Sequence, residues 1–468
     1  MDAIVIGAGM SGLAAALRLA LHGKSVTLLE RHSLWGGLNS FYTLRGRAYD
    51  VGLHALTNYV RPGTRGAPLT RLLRALRIRH EELCLVEQNG SEIVFPGARL
   101  AFDNDPARLA AEVERAFPGQ GEGFARLSEW VRAFEVREDR EPPPSARAVL
   151  AEHLSEPLLR EMLLLPVLFY GSAREHDTDG QTFAILFRAL YLEGLARPDG
   201  GIRTLLNLLV KRVKQAGVEL RLSTGVRRIL VEHGRVQGVE LDSGEVLSAS
   251  IVFSSAGWVE TLRLAGQSAP RADHGRISFL ESIWVLDRPA HALGHRAATT
   301  FFSLDERPAY RSPRELVDPR SGVLSSADNF GPVHVGRAEA RGELRVSVLA
   351  SHGAWCALSA DDYAVAKERA ADAAAAAAVA VTADFRPHRV DRDVFTPSTI
   401  ERFTGHAGGA VYGSPRKHLD GTSGIDGLVL IGTDQGYLGV IGALVSGVTM
   451  ANRHVLASER SGAAEAFA

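Results

Sequence analysis

Gly7, Gly9 and Gly12 stand in the run Gly7-Ala8-Gly9-Met10-Ser11-Gly12, a complete G-x-G-x-x-G. The chemistry of that spacing is phosphate binding by backbone. Gly7 permits a tight turn, Gly9 lets the chain approach a pyrophosphate, and Gly12 lets a helix pack closely on a strand. The phosphate then sits at the positive end of the helix. Glu30 follows Gly12 by 18 positions, where an acid can accept hydrogen bonds from ribose hydroxyls. Such bonds contribute about 1.5–3 kcal/mol each, and the same charge repels a 2′-phosphate, so NADP is disfavoured. A second glycine–acid–glycine run lies near the other end of the chain, as Gly432-Thr433-Asp434 and Gly439-Val440-Ile441-Gly442. It brings N–H groups together at a helix start, where developing negative charge is stabilised.

These residues need particular elements to hold them. Ala3-Ile4-Val5-Ile6 reads as a buried strand, residues 13–21 as an apolar helix, and residues 24–29 as a second strand ending at Glu30. Gly36-Gly37 permits another close backbone approach. The run Gly46-Arg47-Ala48-Tyr49-Asp50-Val51-Gly52-Leu53-His54 reads as a short strand ending at a glycine. In the middle of the chain, Pro198-Asp199-Gly200-Gly201 precedes an amphipathic helix with Ile202, Leu205, Leu208, Leu209 and Val213 at helical spacing. A strand over 218–222 comes next, and strands over 226–232, 236–241 and 245–253, joined by His233-Gly234 and Asp242-Ser243-Gly244, read as a meander. Residues 427–431 form a strand before the last glycine run, and an apolar helix follows over 443–456. Two nucleotide elements at opposite ends of one chain fit FAD better than a plain NAD enzyme.

Composition sets outer bounds. With 468 residues, 46% hydrophobic and 23% charged, the chain reads as an ordinary globular protein of two or three domains. A net charge of −1 argues against a nucleic-acid surface. Cys84 and Cys356 suggest neither a disulfide framework nor a metal site. With no leader before the first strand and no apolar run of about 18–20 residues, the expected location is cytoplasmic.

The order of glycine fingerprint, acid, Gly-Gly and (F/Y)-D-x-G resembles the flavoprotein superfamily of amine oxidases, phytoene desaturases and carotenoid isomerases. That resemblance implies an α/β architecture: a Rossmann-like, GR2-type FAD-binding domain with an α+β substrate-binding domain. The FAD-binding part is expected over 1–60, 198–270 and 411–468, and the substrate part over 61–197 and 271–410. It also implies that Val226 touches the adenine through its backbone and that Asp434 lies near the ribityl–phosphate region, with Gly439, Val440 and Ile441 at the flavin edge. The full expected cofactor set is Gly7, Gly9, Met10, Ser11, Gly12, Glu30, Arg31, Gly36, Gly37, Leu38, Asn39, Val226, Gly432, Asp434, Gly439, Val440 and Ile441. Amine oxidases and classical phytoene desaturases carry Gly-Gly-Arg, whereas Leu38 and Asn39 follow Gly37 here. Tyr49-Asp50-Val51-Gly52-Leu53-His54 is similar to the F-D-x-G-x-H of the retinol saturase and carotenoid isomerase branch. The branch implies a long polyene or isoprenoid as substrate, by desaturation, saturation or cis–trans isomerisation, and contact with a membrane surface. An amine oxidase releasing hydrogen peroxide and a prenyl carrier similar to Rab escort and GDP-dissociation inhibitor proteins are the alternatives. The intact glycines, Glu30 and Asp434 favour an enzyme over a carrier.

In the substrate part, Asp105-Pro106 opens a helix, Pro142-Pro143-Pro144 is a break before another, and residues 155–169 are apolar on nearly all sides, as a buried helix or a channel wall. Residues 278–286, 299–303 and 343–349 read as strands of a second sheet. Because a flavin carries the redox chemistry itself, acid/base candidates are few. His54, Tyr170 and Tyr437 are the candidate catalytic residues. A hydrogen-bonded structural histidine is the plainer reading of His54 and core packing that of Tyr170, while Tyr437 could wall a cavity.

Overall fold

Ala3–Ile6 is apolar and buried at every position, as suits a strand covered on both faces. In the computed structural model it is β1, the centre of a five-stranded parallel sheet. The structure describes residues 1–52, 55–135, 145–331 and 341–457. α1 (Met10–Ala20) and β2 (Val26–Leu29) follow, and β3 (Glu219–Arg221), β4 (Val252–Ser254) and β5 (Leu428–Leu430) complete the sheet in the order β5-β4-β1-β2-β3. Six further helices bear on the site: α2 (Pro157–Gly171), α3 (Ile202–Gln215), α4 (Trp258–Leu264), α5 (His352–Cys356), α6 (Pro397–Thr404) and α7 (Gly439–Ala451). α1, α3 and α7 share one core with the sheet, where Leu13, Leu17, Leu205, Leu209 and Ile441 meet Val5 and Leu28.

The other face is covered by the meander. Ile229, Val236, Val239 and Leu247 pack on Ile4, Ile6 and Leu29. Its last stretch departs from expectation. Residues 245–253 alternate like one strand, yet Val246–Ser248 closes the meander while Val252–Ser254 enters the parallel sheet between β1 and β5. Apolar alternation runs through both, so nothing in the period marks the change of sheet.

The second sheet has seven strands, in the order Arg389–Phe395, Ser278–Leu286, Gly342–Ala350, Val317–Ser326, Thr299–Ser303, Ser91–Phe95 and Ala98–Phe102. Only Thr299–Ser303 and Ser91–Phe95 run parallel; the other neighbours are antiparallel. The alanine-rich helix Ala360–Val379 packs Ala371, Ala374 and Ala378 with Leu280 and Val346 of this sheet. α2 is a core helix: Met162, Leu163, Val167 and Leu168 are buried in one cluster with Phe183, Phe187 and Tyr191. Among the described residues, no helix is long and apolar enough to cross a membrane.

Candidate functional site

β1 runs straight into the first glycine loop, and the loop has no room for side chains where it turns. A Cβ at Gly7 (φ +92°) would meet Ser255 Oγ at 2.3 Å, and one at Gly12 would meet Gly7 O at 1.9 Å. Gly9 is different. It caps α1 in an extended conformation, carries no capping side chain, and would point a Cβ into open space. Met10, Ser11 and Gly12 form the uncapped first turn behind it. The second glycine pair closes over the same place. Gly36 N donates to Ala8 O at 2.9 Å, Gly9 and Gly36 form an isolated bridge, and a Cβ on Gly37 would lie 3.6 Å from Gly9 Cα. Leu38 and Asn39 belong to the short turn Gly37–Asn39, and Gly52 (φ +58°) reaches Leu38 O so closely that a Cβ would be 2.5 Å away.

Glu30 is 7% exposed and already employed. Its Oε2 accepts from Ala8 N and its Oε1 from His32 N, each at 2.9 Å. A carboxylate has about four lone-pair sites, so each oxygen retains acceptor capacity for a ribose. Arg31 is exposed and donates to Arg402 O at 3.1 Å, and His32 Nε2 lies 2.7 Å from Phe403 O. Val226 is half-buried at the start of the meander and pairs with Leu241.

The C-terminal loop joins this cradle through α1. Gly432 (φ +87°) donates its N–H to Ser446 Oγ at 2.8 Å and would press a Cβ against Ser11 Oγ at 2.9 Å. A Cβ on Gly447 would come within 2.1 Å of Ser11 O, so α7 crosses α1 in near-backbone contact. From Gly447 back to Gly439 is eight residues of α7, about 12 Å along its axis. The start of α7 is therefore about 12 Å along its axis from this crossing near the start of α1. Gly439 (φ +73°) is exposed, no side chain of its N-cap Leu438 hydrogen-bonds there, and Thr57 Oγ1 lies 3.4 Å from its Cβ position. Val440 and Ile441 face the core.

Asp434 does something the motif does not announce. It is 3% exposed, and its carboxylate accepts from Trp258 N at 2.5 Å and Ser414 N at 2.7 Å, with Lys417 Nζ 3.5 Å away. It thereby ties α4, the segment before Lys417 and the C-terminal loop together. Burial pushes the Lys417 ammonium below its ordinary value, and Asp434 offsets part of that. Asp50 plays a like part: its Oδ2 accepts from Arg197 at 2.8 Å and from Ile202 N at 3.2 Å, while its carbonyl takes Arg345 at 2.8 Å. Glu281 at 3.0 Å and Glu343 at 2.8 Å hold Arg345 within the seven-stranded sheet, so its bond to the Asp50 carbonyl fastens that sheet to the strand Arg47–Asp50.

Of the three acid/base candidates, His54 lies outside the described residues. Tyr437 is half-buried in the loop before α7, where a Cβ on Gly442 would be 3.0 Å from its carbonyl carbon. Tyr170 ends α2. Its hydroxyl and that of Thr299 are buried without a hydrogen bond of ordinary geometry, and burial drives the Tyr170 phenol well above its usual pKa. The Leu438 side chain sits on Gly171, 2.8 Å from its Cβ position, so the loop before α7 abuts the end of α2. Around that junction stand rings from distant segments. Phe169 lies 5.7 Å from Phe279 and 5.6 Å from Tyr310, Tyr170 lies 5.6 Å from Phe301, and Tyr412 donates to Phe169 O. Tyr412, Phe279, Tyr310, Ser255 and Thr57 had no role in the sequence reading. Of these Phe279 falls in the strand expected over 278–286, and the others in no run named above.

Residues 10–256 of the chain match the family of flavin containing amine oxidoreductases. The chain belongs to that family. The exposed backbone at Gly37 and Gly439, the open space beside the half-buried Gly9 and the two uncapped helix starts fit a flavin dinucleotide as the group the family holds. A phytoene desaturase of Neurospora crassa is 30% identical over 298 residues, covering 56% of this chain and 49% of that protein. The chloroplastic prolycopene isomerase of Arabidopsis thaliana is 23% identical over 305 residues, covering 58% and 50%. The alignments thus span about half the length of these curated relatives. An oxidoreductase from Methanosarcina mazei (TM-score 0.65, 16% identity, covering 96% of this chain and 99% of that one) and a redesigned putrescine oxidase (TM-score 0.65, 17% identity, 98% and 99%) share the fold.

Proposed function

We propose that this chain is an FAD-dependent oxidoreductase acting on a hydrophobic polyene or isoprenoid, by desaturation, saturation or cis–trans isomerisation. The observation that carries the reading is the junction of Leu438 with Gly171. It sets the loop before α7 against a wall of rings and aliphatic chains on α2 and the seven-stranded sheet. The phytoene desaturase and prolycopene isomerase relatives act, by name, on compounds of that class.

In this reading Gly7, Gly9, Met10, Ser11, Gly12, Gly36 and Gly37 hold the pyrophosphate and Glu30 the ribose. Gly432, Gly439, Val440 and Ile441 line the ribityl and ring end, with Asp434 bracing their loop from behind, the FAD part being 1–60, 198–270 and 411–468 and the substrate part 61–197 and 271–410. Bound FAD supplies a hydride acceptor or donor. The chain does the rest: the uncapped start of α7 offers positive potential to a reduced ring. The ring wall orients the polyene and keeps water out. Tyr170, whose burial keeps its phenol protonated, presents a fixed dipole, with Tyr437 and His54 the other candidates for handling a proton.

The test is anaerobic incubation of the FAD-loaded full chain with lycopene-type polyenes, retinol, squalene derivatives and, in parallel, primary amines. The expected outcome is flavin bleaching with a new desaturated product, or isomerisation that needs reduced flavin but consumes no electrons. Bleaching by amines alone, with hydrogen peroxide on readmission of air, would overturn the polyene reading in favour of an amine oxidase. Failure to retain FAD would overturn both.

A further inference from the structure

α5 and α6 bring together three side chains that the cradle does not use. His352 and Cys356 are four residues apart on α5 and share one helix face, and Glu401 comes from α6. His352 Nε2 lies 2.7 Å from Glu401 Oε2 and 3.4 Å from Cys356 Sγ, and one ligand atom from each residue falls within 4.8 Å of the others. The frame is firm on both sides. Ser351 caps α5, and Trp355, 1% exposed, anchors it by donating to Leu316 O at 3.0 Å. Thr396 caps α6, and Glu401 Oε1 accepts from Gly408 N at 3.1 Å.

Two chemistries use a Cys–His–acid set. A relay to a nucleophilic thiol needs the sulfur on one ring nitrogen and the acid on the other. Here the sulfur lies beside the ring, 3.4 Å from Nε2 and 3.9 Å from Nδ1, while the carboxylate takes Nε2, so no acid–imidazole–thiol line runs through the two nitrogens. Three ligand atoms gathered within 4.8 Å of one another suit a shared cation, reached by a turn of the imidazole that aims Nε2 between sulfur and carboxylate. We propose that His352, Cys356 and Glu401 form a three-ligand site for a thiophilic divalent cation of the zinc(II) class. Metal–ligand bonds of about 2.0–2.3 Å in a tetrahedral shell put ligand atoms roughly 3.3–3.7 Å apart. The Sγ–Nε2 spacing already meets this, and Nε2–Oε2 opens by about 0.6 Å as the cation replaces the shared proton. The thiol proton leaves to solvent, and the proton displaced from Nε2 is balanced by the imidazole carrying its proton on Nδ1. Imidazole, thiolate and carboxylate together select zinc over magnesium or calcium, which prefer all-oxygen shells. The fourth position is open to water, with Ser398 Oγ beside it, 3.7 Å from Sγ. Bound there, the cation fastens α5 to α6.

The two cysteines, both exposed and free, supply an internal control. Zinc chloride is titrated into the full chain against a chromogenic chelator, and iodoacetamide labelling is mapped by mass spectrometry with and without zinc. One equivalent of tight binding is expected, with Cys356 protected and Cys84 still labelled. Cys356→Ser and His352→Ala each weaken binding about tenfold or more, Glu401→Gln weakens it too, and Cys84→Ser leaves it unchanged. Labelling of Cys356 that zinc does not slow, or binding that survives Cys356→Ser, overturns the proposal. The labelling arm needs no variant, so a substitution that fails to fold does not shield the idea.

Discussion

α1 and α7 begin differently from α3 and α4, although all four follow or open on glycine-bearing loops. α3 and α4 receive a carboxylate from elsewhere in the chain: Asp50 accepts from Ile202 N, and Asp434 from Trp258 N. Among the described residues, no side chain accepts from the first turns of α1 and α7. A helix start carries roughly half a positive charge. At α3 and α4 that charge is neutralised inside the protein, and at α1 and α7 it is left for a ligand. The lesson is that motif acids and motif glycines divide the labour. Asp50 and Asp434 build the frame, and under the proposed function the bare backbone at Gly9 and Gly439 is what meets the cofactor.

The sharpest way to break this division is to compare two alanines in one loop. Gly12→Ala drives a Cβ to 1.9 Å from Gly7 O, a backbone atom that cannot step aside. Overpacking of this kind costs about 1–3 kcal/mol or more, so a lowered unfolding midpoint or loss of soluble protein is expected. Gly9→Ala meets nothing within 4 Å and has an ordinary φ of −73°. It should unfold like the parent yet lose flavin through gel filtration, with affinity down about tenfold or more, a change of roughly 1.4 kcal/mol. Wild-type flavin content in Gly9→Ala would end the assignment of that backbone to the cofactor.

Asp50→Asn comes next. It removes the Asp50 charge from Arg197, whose side chain is 10% exposed and which Glu343 and Asp328 attract from farther off. Removing one partner of a buried pair costs about 3–5 kcal/mol. Combining it with Arg197→Met should recover much of that loss in urea unfolding. If the double variant is no better than the single one, Asp50 acts through Ile202 N rather than through the pair. Asp434→Asn is smaller, about 1.5–3 kcal/mol for a weakened charge-assisted bond. The division of labour predicts that it lowers stability more than it lowers flavin retention. Flavin loss without a change in stability would move Asp434 to the cofactor side of the comparison.

The same contrast explains what was legible beforehand. Gly7 to Gly12, Gly36-Gly37 and the run from Gly432 work through local backbone, so type and spacing announce them, and the parallel sheet follows. The carboxylates of Asp50 and Asp434 were readable as motif members, but their partners at Ile202, Trp258 and Ser414 lie far away in sequence, where no spacing rule reaches. The ring wall is harder still. Phe169, Phe279, Phe301, Tyr310 and Tyr412 come from separate segments, and each alone looks like any core aromatic. The passage of residues 245–253 from meander to parallel sheet was hidden because apolar alternation serves both.

The smallest expected effect tests the framed side by pH. His418 sits against Trp258 with ring centroids 4.0 Å apart, beside the Asp434 brace, and its Nε2 is buried without a partner. Burial holds its pKa below the ordinary 6.5, and burial does the same to His295 in the second sheet region. As pH falls through about 6.5, the unfolded chain takes up protons that these folded rings refuse. The unfolded state then binds more protons, so stability falls with pH until the folded pKa is passed. Each histidine contributes at most about 1.4 kcal/mol per pH unit. Urea midpoints at pH 7.5, 6.5 and 5.5 should decline, and His418→Gln should flatten part of the decline. An unchanged slope in that variant would mean that His418 takes up its proton in the folded state as readily as in the unfolded one, and that the Trp258 side of the brace is open to water.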